Sequence, residues 1–142
     1  MIRVLLVEDN DDDIVLTTEA LDAGKFRVEL HVETTGDGAL RYLRRAGEHT
    51  DAHRPDLIML DLNLPGTSGV EVLTEIKSDD ELGSIPVVIM TTSRSPADIE
   101  ATYKLHANCY VTKPVDVDAF ISIVHQIEDF WLTVVRLPHG RP

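Results

Sequence analysis

Short apolar runs alternate along this chain with segments of helical periodicity, and this alternation restricts the fold more than any other feature. The runs suited to strands are 2–7, 27–33, 57–60, 86–90 and 109–111. The segments between them carry apolar residues three or four positions apart, as on one face of a helix. Strands separated by helices pair in parallel through right-handed crossovers, with helices on both faces of the sheet. The sequence therefore predicts an α/β fold with a doubly wound, five-stranded parallel sheet.

The predicted helices fill the gaps between these runs, and one more follows the last run. Their expected bounds are 12–23, 36–45, 69–78, a segment beginning at Pro96, and 116–131. A chain of 142 residues has the length of one typical domain. We therefore expect a single domain over residues 1–131. Residues 132–142 are expected to form a tail that begins with an extended apolar run and is not a domain of its own.

The charge and residue content exclude several classes of function. The chain has 13 Lys and Arg against 25 Asp and Glu, a formal charge of −12. Such an acidic protein lacks the cations that neutralise phosphates, which argues against direct binding to nucleic acid or to anionic membranes. No apolar run approaches the roughly 20 residues that span a bilayer, and the N-terminal residues lack the layout of a signal peptide. We expect a soluble, cytoplasmic protein.

Polar residues follow most of the predicted strands, at the point where each strand ends. Glu8 and Asp9 follow the first run, Asp61 the third, Thr91 the fourth and Lys113 the last. Because parallel strands end at one edge of the sheet, these side chains are expected to meet in one crevice. Three carboxylates repel one another unless a cation intervenes, and Mg²⁺ takes oxygen ligands while keeping several waters. The sequence therefore predicts a Mg²⁺ site in which Asp61 also receives an anion, held by the ammonium and the hydroxyl.

The same strand ends carry four motifs that resemble the receiver domain of two-component response regulators, over residues 2–131. The motifs are LLVEDN (5–10), LIMLDLNLPGTSG (57–69), VIMTTS (88–93) and YVTKPV (110–115). They occur in the family's order and at the expected strand ends. The resemblance implies a flavodoxin-like fold of the receiver type and a phosphoryl group received from a sensor histidine kinase.

By this resemblance Asp61 is the phosphoacceptor, and three further residues bind the metal with it. Asp9 is a direct ligand of Mg²⁺, Glu8 contributes mainly through water, and the backbone carbonyl of Asn63 completes the protein ligands. Many receivers have two aspartates where this chain has Glu8 and Asp9. The longer side chain is acceptable where its link to the metal is a water molecule.

The resemblance also assigns roles at the ends of the last two strands. Thr91 would hydrogen-bond the acyl phosphate, whereas Thr92 is read as a plain strand residue. Lys113 would pair with the phosphate, and the Lys113–Pro114 peptide would be cis. Tyr110 resembles the aromatic residue that changes position when receivers switch.

A narrower resemblance points to small stand-alone regulators that are partnered with phytochromes in cyanobacteria and other bacteria. It rests on IEDFWLTVVRLP (127–138), NCYVTKPVD (108–116) and the insert 47–55. It implies a phytochrome-type kinase as partner.

The contiguous apolar residues after Trp131 also predict a homodimer through the last helix and the tail, with Phe130 and Trp131 as anchors. The alternative is that the tail folds back over its own domain.

Two other functions were compared with a signalling switch that is not an enzyme. An aspartyl-phosphate phosphohydrolase needs a carboxyl group two residues after its nucleophile as general acid. Asn63 occupies that position, and the chain has no length for a cap domain. A flavodoxin-type electron carrier needs a phosphate loop rich in glycine and hydroxyl groups after the first strand, where Glu8 and Asp9 stand instead. Both alternatives are disfavoured.

Two further groups of residues receive structural interpretations. Asp11, Asp12 and Asp13 are expected to be a solvated acidic run at a helix start. The six histidines show no spacing typical of metal ligands, so the sequence predicts no histidine metal site. They are His31, His49, His53, His106, His125 and His139.

Overall fold

The computed structural model describes residues 1–134, and this part of the chain contains the predicted five-stranded parallel sheet. The strands are β1 (Ile2–Val7), β2 (Val28–Glu33), β3 (Leu57–Leu60), β4 (Val87–Thr91) and β5 (Cys109–Thr112). Their order is β2-β1-β3-β4-β5, and every pairing is parallel. β2 therefore lies at an edge, as its alternating sequence suggests, and the chain reverses its winding direction next to β1.

Helices connect the strands and continue after the last one. They are α1 (Asp11–Asp22), α2 (Gly36–Leu43), α3 (Gly69–Ser78), α4 (Pro96–Lys104) and α5 (Val117–Asp129). A 3₁₀ turn, Gly47–His49, lies in the insert before β3, and a π-helical segment, Phe130–Val134, follows α5. Each of the five α-helices begins after a polar residue whose side chain accepts a hydrogen bond from a backbone N–H of the first turn. These caps are Asn10, Thr35, Ser68, Ser95 and Asp116.

Alternate residues of the strands enter two hydrophobic cores, one on each face of the sheet. Leu5, Ile58 and Ile89 pack on the side of α2 and α3. Their neighbours Leu6 and Met59 pack on the side of α1 and α5. This alternation follows from the two-residue period of a strand, and burial on both faces explains why the central runs are wholly apolar. None of the helices within residues 1–134 has the length and apolar character to cross a membrane.

The extended tail predicted from residue 132 is wrong for residues 132–134, which are helical. Trp131 and Leu132 are 8% and 2% exposed and belong to the core beneath α1 and α5. The wider π-helical turn brings residues five apart onto one face, so Leu132 follows Ile127 into the core. The prediction for residues 135–137 and the rest of the tail lies outside the described residues.

The cis peptide expected before Pro114 is also wrong, since no cis bond occurs in the described chain. The trans form, which X–Pro bonds favour by about 0.5–1 kcal/mol, already allows Lys113 to reach the carboxylates at the sheet edge.

Candidate functional site

The predicted site residues assemble at the carboxyl edge of the sheet, as the strand order requires. Glu8 follows β1, Asp61 follows β3, and Lys113 follows β5; all three are buried. Asp9 is exposed beside them. One carboxylate oxygen from each of the three acidic residues lies within 4.8 Å of the other two. Residues separated by more than one hundred positions thus form one acidic pocket.

Lys113 is the cation at the centre of this pocket. Its Nζ donates to Asp61 Oδ2 at 3.0 Å, to Asp13 Oδ2 at 2.8 Å and to Glu8 Oε1 at 2.5 Å. Three carboxylates thus share one ammonium group. The arrangement is a network of charge-assisted hydrogen bonds between one ammonium group and its carboxylate partners.

Asp13 was not predicted to take part in the site. Its backbone N–H donates to the N-cap Asn10, so it is a first-turn helix residue as expected, but its carboxylate also reaches Lys113. The interpretation of Asp13 as a solvated acid was therefore wrong. The sequence gives only a weak signal of this contact. Asp13 lies in the first turn of α1, and only the direction of that helix brings the Asp13 side chain toward β5.

Burial and charge move the pKa values of this cluster in different directions. Burial raises the pKa of Glu8 to about 7, even though the hydrogen bond from Lys113 acts against this rise. Burial also favours protonation of Asp61, but the charge of Lys113 and hydrogen bonds from Glu8, Lys113 and the Asn63 N–H hold its pKa below the usual range. For Lys113, burial is outweighed by hydrogen bonds to Asp13 and Glu8, and its pKa is raised. At neutral pH, Asp61 is therefore ionised next to a charged lysine.

The donor set of the pocket fits a divalent cation that prefers oxygen. Among the described residues, the candidate metal ligands that converge there are carboxylate oxygens of Glu8, Asp9 and Asp61, and Asp9 offers its oxygen from the solvent side. Asn63 lies next to Asp61, and its backbone N–H donates to Asp61 Oδ1 at 3.2 Å. The residues present therefore suit the metal that the sequence predicts.

Thr91 ends β4, fully buried, between the strands that deliver Asp61 and Lys113. Its carbonyl accepts the backbone N–H of Lys113 at 2.7 Å, and its hydroxyl accepts the N–H of Ser93 at 3.4 Å. Thr92 is exposed, in agreement with the choice of Thr91 from spacing. Tyr110 donates its hydroxyl to the Ser93 carbonyl at 2.9 Å, which links the end of β4 to β5.

Gly69, the first residue of α3, holds the segment after Asp61 in place. A Cβ at Gly69 would lie 2.2 Å from the Asp61 carbonyl oxygen and 2.5 Å from Leu62 Cα. The Gly69 N–H donates to the Leu62 carbonyl at 3.1 Å. This close backbone approach needs a residue without a side chain. The sequence predicts Gly69 only as a helix start.

Two of the six histidines meet in space, contrary to the prediction from their spacing. His31 on β2 and His49 in the 3₁₀ turn both contact the carboxylate of Glu33, the last residue of β2. The residues are 18 positions apart, so no local spacing could reveal the contact.

A five-stranded parallel sheet whose carboxyl edge holds an acidic pocket, a threonine and a lysine is the arrangement of a signal receiver domain. Residues 4–125 match the response regulator receiver domain family, and this chain belongs to it. It is a receiver-domain response regulator related to phytochrome response regulators.

Relatives match the chain over nearly its whole length. Response regulator Rcp1 of Synechocystis sp. is 44% identical over 135 residues, covering 95% of this chain and 92% of Rcp1. The phosphorylated cyanobacterial phytochrome response regulator RcpA superposes with a TM-score of 0.94 at 48% identity, covering 96% of this chain and 97% of RcpA. The Mn²⁺-bound form of Rcp1 gives a TM-score of 0.94 at 43% identity, covering 97% of this chain and 99% of that structure. Receiver domains thus bind a divalent metal, and this chain has the carboxylates for one.

Proposed function

We propose that this protein accepts a phosphoryl group from a sensor histidine kinase on Asp61, and that the acyl phosphate changes a protein-binding surface. The observation that carries the proposal is the contact of the ionised Asp61 with Lys113 inside the acidic pocket. It pairs a nucleophile with a cation that can neutralise an incoming phosphate.

In the transfer step, a carboxylate oxygen of Asp61 attacks the phosphorus of a phosphohistidine on the kinase. The new P–O bond forms as the P–N bond breaks, and the imidazole leaves with a proton taken from water. Lys113 remains charged throughout because its pKa is raised by hydrogen bonds to acidic partners. It can exchange one of these partners for a phosphate oxygen, since its three donors rotate freely.

We assign the metal ligands to Glu8, Asp9, Asp61 and the backbone carbonyl of Asn63, and we propose Mg²⁺ as the ion. When bound, the ion supplies positive charge for the phosphate oxygens. The exposed side of the pocket at Asp9 is where the ion and the phosphate can enter. Binding of Mn²⁺ by Rcp1 supports a divalent cation here.

Thr91 is proposed as the hydroxyl donor to the acyl phosphate. Its hydroxyl now accepts from Ser93, whose carbonyl accepts from Tyr110. Reorientation of Thr91 toward the phosphate would therefore alter the segment that holds Tyr110. The product of the reaction is a changed surface around β4 and β5, which is why we do not classify the protein as an enzyme.

The phosphohydrolase alternative is not favoured by the site. Asn63 is exposed two residues after Asp61, and its amide cannot act as the general acid that this reaction requires.

We propose a phytochrome-type histidine kinase as the partner, because the chain is related to the phytochrome response regulators RcpA and Rcp1. We also propose a cytoplasmic location, because the proposed kinase would draw on ATP. The charge of −12 makes direct contact with nucleic acid unfavourable, so we propose that output passes through protein contacts.

We further propose a homodimer through the end of α5 and the tail, but with a smaller apolar contribution than the sequence indicates. Trp131 and Leu132 are buried in the chain's own core, which extends the domain proposed for residues 1–131 by at least one residue. Phe130 remains 50% exposed and packs edge-on against Trp131. Exposed aromatic residues of this kind are enriched at interface cores.

The phosphorylation proposal is tested with acetyl phosphate, Mg²⁺ and intact-mass spectrometry. Wild type should gain one phosphoryl group, Asp61→Asn should gain none, and Asp118→Asn should behave as wild type. Asp118 is a matched control because it is an exposed carboxylate in the first turn of α5 and is not among the carboxylates that contact Lys113. Equal labelling of the Asp61→Asn variant would contradict the assignment.

The dimer is tested by light scattering at micromolar concentration. Phe130→Ser should lower the mass toward that of a monomer, as should a chain ending at Val134 if the tail contributes. Val115, a fully exposed apolar residue two positions before the start of α5, is the control, and Val115→Ser should leave the mass unchanged. A monomeric mass for the full chain would rule the dimer out.

A further inference from the structure

Two histidines and a glutamate converge at the edge strand β2, on the face of the sheet that α2 covers. His31 Nε2 lies 2.5 Å from Glu33 Oε2, and His49 Nε2 lies 3.7 Å from the same oxygen. One ligand atom from each of the three side chains lies within 4.8 Å of the other two. His31 and Glu33 are two residues apart on β2 and so point to the same face, while His49 comes from the insert.

Tyr42 of α2 orders the two imidazole rings. It stacks on His31 with ring centres 3.8 Å apart and an interplanar angle of 8°. It meets His49 edge-on at 5.3 Å, and the two imidazoles are themselves nearly perpendicular, at 84°. The rings are therefore held in place by packing, and both present Nε2 toward the carboxylate of Glu33.

Glu33 is held between these rings by the start of α2. A Cβ at Gly38 would lie 2.5 Å from Glu33 Oε1, so the glycine leaves space for the carboxylate in its present position. The side chain of Glu33 is 15% exposed and that of His49 is 16% exposed, whereas that of His31 is 37% exposed. The cluster is thus mostly enclosed but open to solvent at one side.

We propose that His31, Glu33 and His49 form a second metal site, separate from the acidic pocket, that binds a borderline divalent ion such as Zn²⁺. Two imidazoles and one carboxylate suit Zn²⁺ or Co²⁺ and do not suit Mg²⁺, which prefers oxygen. Zinc bonds of about 2.0–2.2 Å place ligand atoms at most about 4 Å apart, so small side-chain rotations complete the site. On binding, the metal would replace the hydrogen bond between His31 Nε2 and Glu33 Oε2, and the neutral imidazole would carry its one proton on Nδ1.

The insert supplies a fourth ligand in addition to His49. Glu48 Oε1 lies 3.4 Å from His49 Nε2 and 3.7 Å from a guanidinium nitrogen of Arg41, and this side chain is 70% exposed. Either Glu48 or water can therefore complete a tetrahedral set. A bound ion would therefore link the insert to the end of β2. This end lies beside the end of β1, because the Glu33 carbonyl accepts the backbone N–H of Glu8.

The test measures Zn²⁺ and Co²⁺ binding to the full chain carrying Asp9→Ala, in millimolar Mg²⁺, so that the acidic pocket does not contribute. We expect one ion per chain by calorimetry and a visible Co²⁺ spectrum typical of tetrahedral coordination. His31→Phe and His49→Phe retain an aromatic ring but lose a ligand, and each should weaken binding by about a hundredfold or more. His53→Gln is the matched control, because His53 is an exposed histidine of the same insert outside the cluster.

Absence of Zn²⁺ binding by the folded Asp9→Ala chain would overturn the proposal, as would undiminished affinity in both phenylalanine variants. Should these variants fail to fold, imidazole ¹⁵N spectra of the Asp9→Ala chain decide the question. Zn²⁺ must then shift the Nε2 resonances of His31 and His49 and not those of His53. Unshifted resonances would refute the site. None of these measurements involves phosphorylation, so their failure and the failure of the proposed signalling function are distinguishable.

Discussion

Lys113 Nζ donates to Asp61 Oδ2 across 3.0 Å, although the two residues are 52 positions apart and are delivered by β5 and β3. β4 lies between these strands, so the long lysine side chain passes the end of β4 at Thr91. The contact favours the ionised form of Asp61, the proposed phosphoacceptor, and holds the acidic pocket together. Most of the expected effects of mutation follow from it.

Replacement of Lys113 by Met should destabilise the protein by about 3 kcal/mol in the absence of divalent metal, because three carboxylates lose their shared buried cation. Urea unfolding at neutral pH measures this loss. Millimolar Mg²⁺ should restore more stability to Lys113→Met than to wild type. An unchanged free energy of unfolding would show that Lys113 does not balance the pocket.

Mg²⁺ should raise the melting temperature of wild type, because an ion that binds only the folded state stabilises it by mass action. Asp9→Ala should remove most of this shift, since Asp9 is the solvent-accessible residue among the proposed ligands of the pocket. Asp12→Ala, an exposed acid of the first turn of α1, should keep it. Thermal melts with and without the ion give the answer, and equal shifts in all three proteins would refute the assigned ligands.

Gly69→Ala should destabilise the protein by about 1–3 kcal/mol and slow labelling by acetyl phosphate, because the new methyl group overlaps the backbone of Asp61 and Leu62. Gly47→Ala serves as the comparison. Its backbone φ of +59° also disfavours alanine, but no atom lies near the added carbon. The Gly47→Ala variant should be less stable than wild type but should be labelled at the wild-type rate. Normal labelling of Gly69→Ala would show that the close contact at the start of α3 does not position Asp61 for the reaction.

Glu128→Gln should stabilise the protein at neutral pH by about 1 kcal/mol, because Glu128 is buried and its Oε2 has no hydrogen-bond partner within the described chain. Burial raises its pKa above the usual 4.5. Between that value and the raised one, the folded state binds more protons than the unfolded state, so wild-type stability falls as pH rises.

The advantage of Glu128→Gln should accordingly be absent below pH 4.5, grow as the pH passes through the raised pKa, and then remain constant. Unfolding free energies over this range test the sign. Glu19→Gln, an exposed carboxyl of α1, is the control and should show no such growth. A constant difference at all pH values would mean that Glu128 does not titrate abnormally.

Local sequence patterns were sufficient to predict most of the strands and helices. β3 and α3 begin and end at the predicted residues, because a four-residue apolar run and a capped amphipathic helix are defined by neighbours in the chain. Glu8, Asp61 and Lys113 could be grouped for a related reason: strands joined by helices run parallel, so their ends share an edge.

Only the tertiary structure decided which side chains meet across those elements. Asp13 reaches Lys113 because α1 leaves the sheet at one particular angle, and His31 meets His49 because the insert folds onto β2. Leu132 enters the core because α5 widens its last turn. The period of a strand or helix depends on adjacent residues and can be read from the sequence. The contacts between elements depend instead on how whole elements pack, which is a balance of many weak interactions between residues far apart in the chain.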